Sequence, residues 1–155
     1  LMAISNKFGH MVLTTGNKSE MAVGYCTLYG DMCGAIAPIG DLWKVDVFRM
    51  AQSDEAIPET TVHAAPSAEL RADQKDEDSL PPYAVLDAIL HGLIVAHQAP
   101  EHLVSQGHDE ATVQRVVGLL DRNEFKRRQA APVLRVSRKA LGMGRRYPLA
   151  WRRGF

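Results

Sequence analysis

Residues 14–25, TTGNKSEMAVGY, constrain the fold of this chain more than any other stretch. The short apolar run at 11–13 enters a Gly/Asn turn, and the turn opens a helix that carries Glu20. A strand, a small-residue turn and a helix N-terminus in succession form the place where an open α/β sheet holds a nucleotide, because the first N–H groups of a helix lack intrahelical partners and attract anions. The stretch therefore predicts an α/β fold with a nucleotide at the strand end. Glu20 has two readings: it closes a capping box with Asn17 as the N3 partner, or it holds a magnesium ion beside phosphate oxygens.

A chain of 155 residues with 46% hydrophobic content buries one core of ordinary size. Lys plus Arg and Asp plus Glu balance at 18 each, so no net charge steers the chain toward nucleic acid, and no nucleic-acid partner is expected. The charge is uneven along the chain. Residues 54–78 are acid-rich, whereas 122–153 carry Arg122, Lys126, Arg127, Arg128, Arg135, Arg138, Lys139, Arg145, Arg146, Arg152 and Arg153. Phosphates, anionic lipid and an acidic protein surface all suit such a basic third. Cys26 and Cys33 are the only cysteines and form no zinc knuckle, so they read as reduced thiols of a cytoplasmic protein. With no signal peptide and no apolar run of about 18 residues, neither secretion nor a membrane partner is expected. The opening Leu1-Met2-Ala3-Ile4, without an initiator Met, reads as a helix interior, as in a piece of a longer protein.

Residues 1–8 are helix-compatible, 10–15 read as a buried strand, and 18–29 as a helix with Met21, Ala22, Tyr25 and Leu28 on its apolar face, closed by Gly30-Asp31. Asp41 is placed to cap a helix through Trp43, Val47, Phe48 and Met50. Pro58 interrupts the next element. Residues 64–82 lack apolar periodicity, and so long a connection inside a domain reads as a functional flap or a mobile segment rather than a plain connection. Helices are predicted over 83–96, with Pro82 at its start, over 100–105, ended by Gly107, and from Asp109 and Thr112 through Val113, Val116, Val117, Leu120 and Phe125. Pro132 breaks the pattern. The chain thus divides into a domain at 1–131 and a basic tail at 132–155 that is either extended over the surface or docked on a partner.

Thr15, Gly16 and Asn17 present hydroxyl, backbone N–H and amide groups to one turn. Lys44, Lys126 and Arg127 are candidates for gripping phosphates through charge-assisted donors, although a solvated helix face explains such residues equally well. Ser67 donates to a phosphate or caps a turn, and Asp76-Glu77-Asp78 binds a cation or is solvated surface. The histidines, at 10, 63, 91, 97, 102 and 108, have no HExxH spacing. Neither GxxxxGK[ST] nor GxGxxG occurs.

Seven blocks in order, TTGNKSE at 14–20, GYCTLYGD at 24–31, PIGDLWK at 38–44, APSAEL at 65–70, QKDEDSLPPY at 74–83, KRRQ at 126–129 and GRRYP at 144–148, resemble the synthetase domain of NAD synthetases, the last two resembling the glutamine-dependent branch. The resemblance implies an incomplete Rossmann-like, adenine nucleotide alpha hydrolase-like (ATP pyrophosphatase) domain of α/β class with a helical C-terminal part. It implies amidation of deamido-NAD with ATP and Mg2+: adenylation of the nicotinate carboxylate, then displacement of AMP by ammonia derived from glutamine. By the same resemblance Thr15, Lys44 and Ser67 contact ATP, Glu20 the metal and deamido-NAD, and Tyr25, Asp31, Lys126 and Arg127 deamido-NAD. The family's SGGxDS loop is not in the sequence, and Leu28 stands where the ammonia-dependent branch tends to carry a lysine. Cys33, Trp43 and Ala131 also depart from the usual blocks. The implied partners are the N-terminal half of the synthetase domain, a glutaminase domain and further copies in a homo-oligomer, docked on the stripe Leu1, Met2, Ile4, Phe8 and on Tyr147, Leu149, Trp151 and Phe155. The alternative is a degenerate, non-catalytic module that binds a nucleotide or a protein.

Overall fold

The computed structural model describes residues 1–67, 72–142 and 144–149. Among them run α1 (Met2–Phe8), α2 (Lys18–Val23), α3 (Lys44–Ser53), α4 (Glu59–Val62), α5 (Tyr83–Ile94), α6 (Pro100–Ser105), α7 (Glu110–Arg122) and α8 (Glu124–Arg127), with one 3-10 turn at Asp76–Asp78. The apolar periodicity of the second half becomes α5 and α7. Leu86, Ile89, Leu90, Leu93 and Ile94 of α5 meet Val113, Val116, Val117 and Leu120 of α7 in one core, with Leu103 of α6 and Met21, Ala22 and Val23 of α2 beside them. Asp109 starts α7 by accepting the Thr112 N–H at 2.8 Å, and Pro100 occupies the first turn of α6, where its missing N–H costs nothing.

The predicted α/β sheet is absent among the described residues, whose regular elements are helices joined by turns and loops. Extended chain pairs only as two isolated parallel bridges, Leu13 with Ile36 and Ala37 with Val133. Residues 10–15 are not the expected buried strand either, since Met11 is 69% and Leu13 54% exposed. The pairing is carried by Ala35 N to Val12 O at 2.8 Å, Thr14 N to Ile36 O at 3.0 Å and Ala37 N to Pro132 O at 2.8 Å. A ladder does not grow from these bonds because Pro38 and Pro132, at the ends of the paired segments, have no N–H to donate. Burial instead goes to helical stripes.

Two helix expectations also change. The helix expected over 18–29 stops at Val23, because Gly24 takes a left-handed conformation, φ 71°, and turns its N–H back to Glu20 O. Asp41 does not cap the helix through Trp43. Its side chain is turned to residues 136 and 137, while α3 starts from Trp43 with no side-chain cap of its own.

Among the described residues beyond Pro132, Ala140 and Leu141 are buried against the core and the Arg145 guanidinium donates to Leu93 O at 2.8 Å. Leu1, Met2, Ile4 and Phe8 of the α1 region are exposed. Trp151, Arg152, Arg153 and Phe155, and Ala68, Glu69 and Leu70 of the APSAEL block, lie outside the described residues. No described helix is long and apolar enough to cross a membrane.

Candidate functional site

The turn before α2 is held as a capping box. Asn17 Oδ1 accepts the Glu20 N–H at 3.0 Å, and Glu20 Oε2 accepts the Asn17 N–H at 3.1 Å. The same carboxylate reaches outward, its Oε1 2.9 Å from Lys44 Nζ in a half-buried ion pair. Capping and site-building are therefore one arrangement: the box fixes one oxygen of Glu20 and leaves the other facing Lys44.

Lys44 is placed by neighbours on α2 and α5. Ser19 Oγ accepts the Lys44 N–H at 2.9 Å and donates to Asp87 Oδ1, and Asp87 Oδ2 accepts the Val45 N–H at 3.0 Å. These bonds satisfy the first two orphan N–H groups of α3, which is why that helix starts without a local cap. The Lys44 ammonium lies 5.6 Å from the Phe48 ring centroid and 5.2 Å from that of Tyr83. At the far edge of that ring the Tyr83 hydroxyl donates to Asp76 Oδ2 at 2.6 Å. Burial, reinforced by Asp76, raises the Tyr83 hydroxyl well above its ordinary value, so the phenol stays protonated. Burial also raises the Asp87 carboxyl against the hydrogen bonds from Ser19 and Val45.

Ser19, Phe48, Tyr83 and Asp87 stand behind an open cleft of about 770 Å³, which Thr15, Glu20, Tyr25, Asp31, Lys44, Ser67 and Lys126 all line. Their local states differ. Asp31 accepts the Thr27 N–H at 2.6 Å, and Tyr25, raised by burial and by Asp76, accepts from Gln74 at 3.4 Å. Lys126 Nζ donates to Gly24 O and Cys26 O, each at 2.7 Å, and so fastens the loop that follows α2 as well as lining the cleft. Arg127 is not in the cleft. Its guanidinium is buried, paired with Glu124 at 3.1 Å, and donates to Ala22 O and Leu120 O, joining α8 to α2 and α7.

Gln74, Cys26 and Thr27 also line the cleft, and sequence reasoning gives none of them a ligand; Asp76, in the run that reads as a cation site or solvated surface, lines it too. Asp87 escaped that reasoning altogether. The signal was available, since a carboxylate between Leu86 and Ala88 on an apolar helix asks for a buried partner. The Cys26 thiol, pushed up to about 11 chiefly by burial, is neutral at ordinary pH and is no nucleophile there.

The residues present do not complete a magnesium site. Among the described residues no group of three or more His, Cys, Asp or Glu side chains is placed to hold a metal. Glu20 has one oxygen on a backbone N–H and the other on an ammonium, which neutralises the charge a cation needs. The cleft instead offers the hydroxyls of Thr15 and Ser67 and the ammonium groups of Lys44 and Lys126.

Known proteins match the chain over nearly all its length. A family model described as NAD synthase matches residues 1–130. The glutamine-dependent NAD(+) synthetases of Acinetobacter baylyi and Xylella fastidiosa are 51% and 53% identical to it, over 98% and 97% of this chain. The chain spans only 30% and 29% of the length of those two relatives. Among solved structures, NMN synthetase from Francisella tularensis has a TM-score of 0.67 at 27% identity, covering 81% of this chain and 48% of that one. A glutamine-dependent NAD(+) synthetase from Cytophaga hutchinsonii has a TM-score of 0.74 at 24% identity, over 96% of this chain and 26% of the other, a likeness of fold.

Proposed function

Because this chain belongs to the NAD synthase family, we propose that it is a nucleotide-binding module of a glutamine-dependent NAD synthetase and that, by itself, it does not catalyse amidation. The observation that carries this reading is the convergence of Thr15, Glu20, Tyr25, Asp31, Lys44, Ser67 and Lys126, far apart in sequence, on one cleft. In the proposed arrangement Lys44, Ser67 and Thr15 face the phosphates and sugar of ATP, while Tyr25, Asp31 and Lys126 face deamido-NAD. Glu20 keeps Lys44 in place until an anion competes for its ammonium. Arg127 supports the site from behind rather than touching ligand.

The reaction proposed for the longer protein forms a bond between the nicotinate carboxylate and the α-phosphorus of ATP with loss of pyrophosphate, and ammonia, released from glutamine by a further domain, then displaces AMP. The leaving pyrophosphate needs preorganised donors around its charge. The sequence has no SGGxDS or other phosphate loop to supply them, which supports the non-catalytic reading of this chain alone. Two free thiols, Cys26 and Cys33, suit a reducing, cytoplasmic setting. The exposed α1 stripe supports docking of the remaining synthetase and glutaminase portions.

An assay with deamido-NAD, ATP, magnesium and ammonia tests the proposal. The chain alone is expected to make no NAD, and clear turnover would overturn the non-catalytic reading.

A further inference from the structure

Lys18, immediately before the two residues that build the site, is fully buried, and its ammonium is shared among three oxygens. Its Nζ lies 2.8 Å from Asp41 Oδ1, 2.9 Å from Ser137 Oγ and 2.6 Å from Lys139 O, with the Trp43 ring centroid 4.6 Å away. Asp41, equally buried, completes the closure. Its Oδ2 accepts the Val136 N–H at 2.9 Å and the Ser137 N–H at 2.6 Å, and its Oδ1 accepts the Ser137 hydroxyl at 2.9 Å. A buried ion pair this well supplied with hydrogen bonds avoids the usual desolvation deficit, and the hydrogen bonds to Ser137 tie it to a position 119 residues beyond Lys18.

We propose that Lys18, Asp41 and Ser137 form a latch that fastens the segment after residue 131 beneath the first turn of α2, and that this latch positions Glu20 and Lys44. Three observations lead there. α2 has six residues, too few to hold its own shape, so its first turn must be fixed from outside. Glu20 is two residues from Lys18, and its Oε2 is bound to the N-cap N–H of that same turn, so any loosening of the turn turns the carboxylate away from Lys44. The fastened segment lies beyond residue 130, where the family match ends, yet Ala140 and Leu141 are buried and Val133 bridges to Ala37. The segment thus belongs to the site's foundation. Lys18, Asp41 and Ser137 are positioning residues, since the cleft lining includes none of them.

The inference rests on the proposed nucleotide cleft for its ligand arm and on geometry alone for its structural arm. Both are read on the full chain carrying Ser137→Ala, with Ser137→Thr as the variant that keeps the hydroxyl; Lys18→Met is unsuitable as the sole test because it strands Asp41 and risks unfolding. In Ser137→Ala the amides of 17–20 and 136–141 are expected to exchange about tenfold faster, and the dissociation constant for MgATP to rise about tenfold, with α5 and α7 unchanged and both effects reversed in Ser137→Thr. Faster exchange confined to 136–141 with unchanged MgATP affinity would show a strap that positions nothing, uniform acceleration would show general destabilisation, and no change would show no latch; each overturns the proposal. If the parent chain itself binds no MgATP, the proposed cleft function fails, and exchange at 17–20 still decides the latch.

Discussion

α7 and α2 share one apolar core, but only α2 also depends on buried polar bonds. α7 has thirteen residues and buries a stripe of Val113, Val116, Val117 and Leu120, so its place follows from area removed from water, at roughly 1.5–3 kcal/mol for each large apolar side chain. α2 has six residues, five of them buried, and two of those are Lys18 and Ser19. Met21, Ala22 and Val23 join the core, and the polar half of the helix is placed by hydrogen bonds and an ion pair that reach to α5, α3 and the segment after Pro132. The difference separates body from site: apolar burial holds the body with latitude, whereas polar bonds fix the site to particular atoms and fail when one partner is lost.

Leu120→Ala should break the first half of this comparison most severely. Loss of a fully buried side chain at the meeting of α7, α2 and α5 is expected to cost about 2–5 kcal/mol, read by chemical denaturation as a lower midpoint with one cooperative transition. A cost below about 1 kcal/mol would mean that α7 does not carry the core. Ser19→Ala should cost less, about 1–3 kcal/mol, because it leaves Asp87 and the Lys44 N–H short of one partner. Its mark is local: amides at the start of α3 exchange faster while those of α7 hold. A Ser19→Ala penalty as large and as uniform as that of Leu120→Ala would erase the distinction between body and site.

The smallest effect is in the acid range. Burial alone would raise the Asp41 carboxyl, but the bonds from Lys18, Ser137 and Val136 outweigh it and hold the group below its ordinary value. Folded Asp41 therefore takes up a proton less readily than the unfolded chain does. Its contribution is complete above the unfolded pKa of about 3.9 and is lost as pH falls below that through the folded value. Asp41→Asn, which leaves the buried Lys18 ammonium without its carboxylate, should start from a much lower Tm at neutral pH, and the small effect read here is the slope: its Tm should fall less steeply on acidification below about pH 4 than the parent's. Parallel profiles would remove Asp41 from the account.

Residues that bury apolar stripes were legible in the sequence, and residues that bury polar groups were not. The helices at 83–94, 100–105 and 110–122 follow from periodicity, Pro100, Gly107 and the Asp109 cap. The Asn17–Glu20 capping box was equally visible, because it is local. The sheet was misjudged since an apolar run at 11–13 names a β-compatible segment without saying whether neighbours will pair with it, and here Pro38 and Pro132 limit the pairing to single bridges. Asp41 reads as a local cap because nothing in the sequence shows that residues 136 and 137 come to it from across the fold. Within the site, resemblance supplied the names of residues that the cleft brings together, and only geometry showed that Arg127 is spent on Glu124 and on backbone carbonyls.

Calorimetric titration of MgATP into the chain and into its Lys44→Ala variant tests the central claim, that the cleft behind Glu20 and Lys44 takes a nucleotide. Saturable binding is expected for the parent, weakened about tenfold or more in the variant by loss of a charged donor to phosphate. Absence of saturable binding by the parent, or equal affinity in the two proteins, would contradict it.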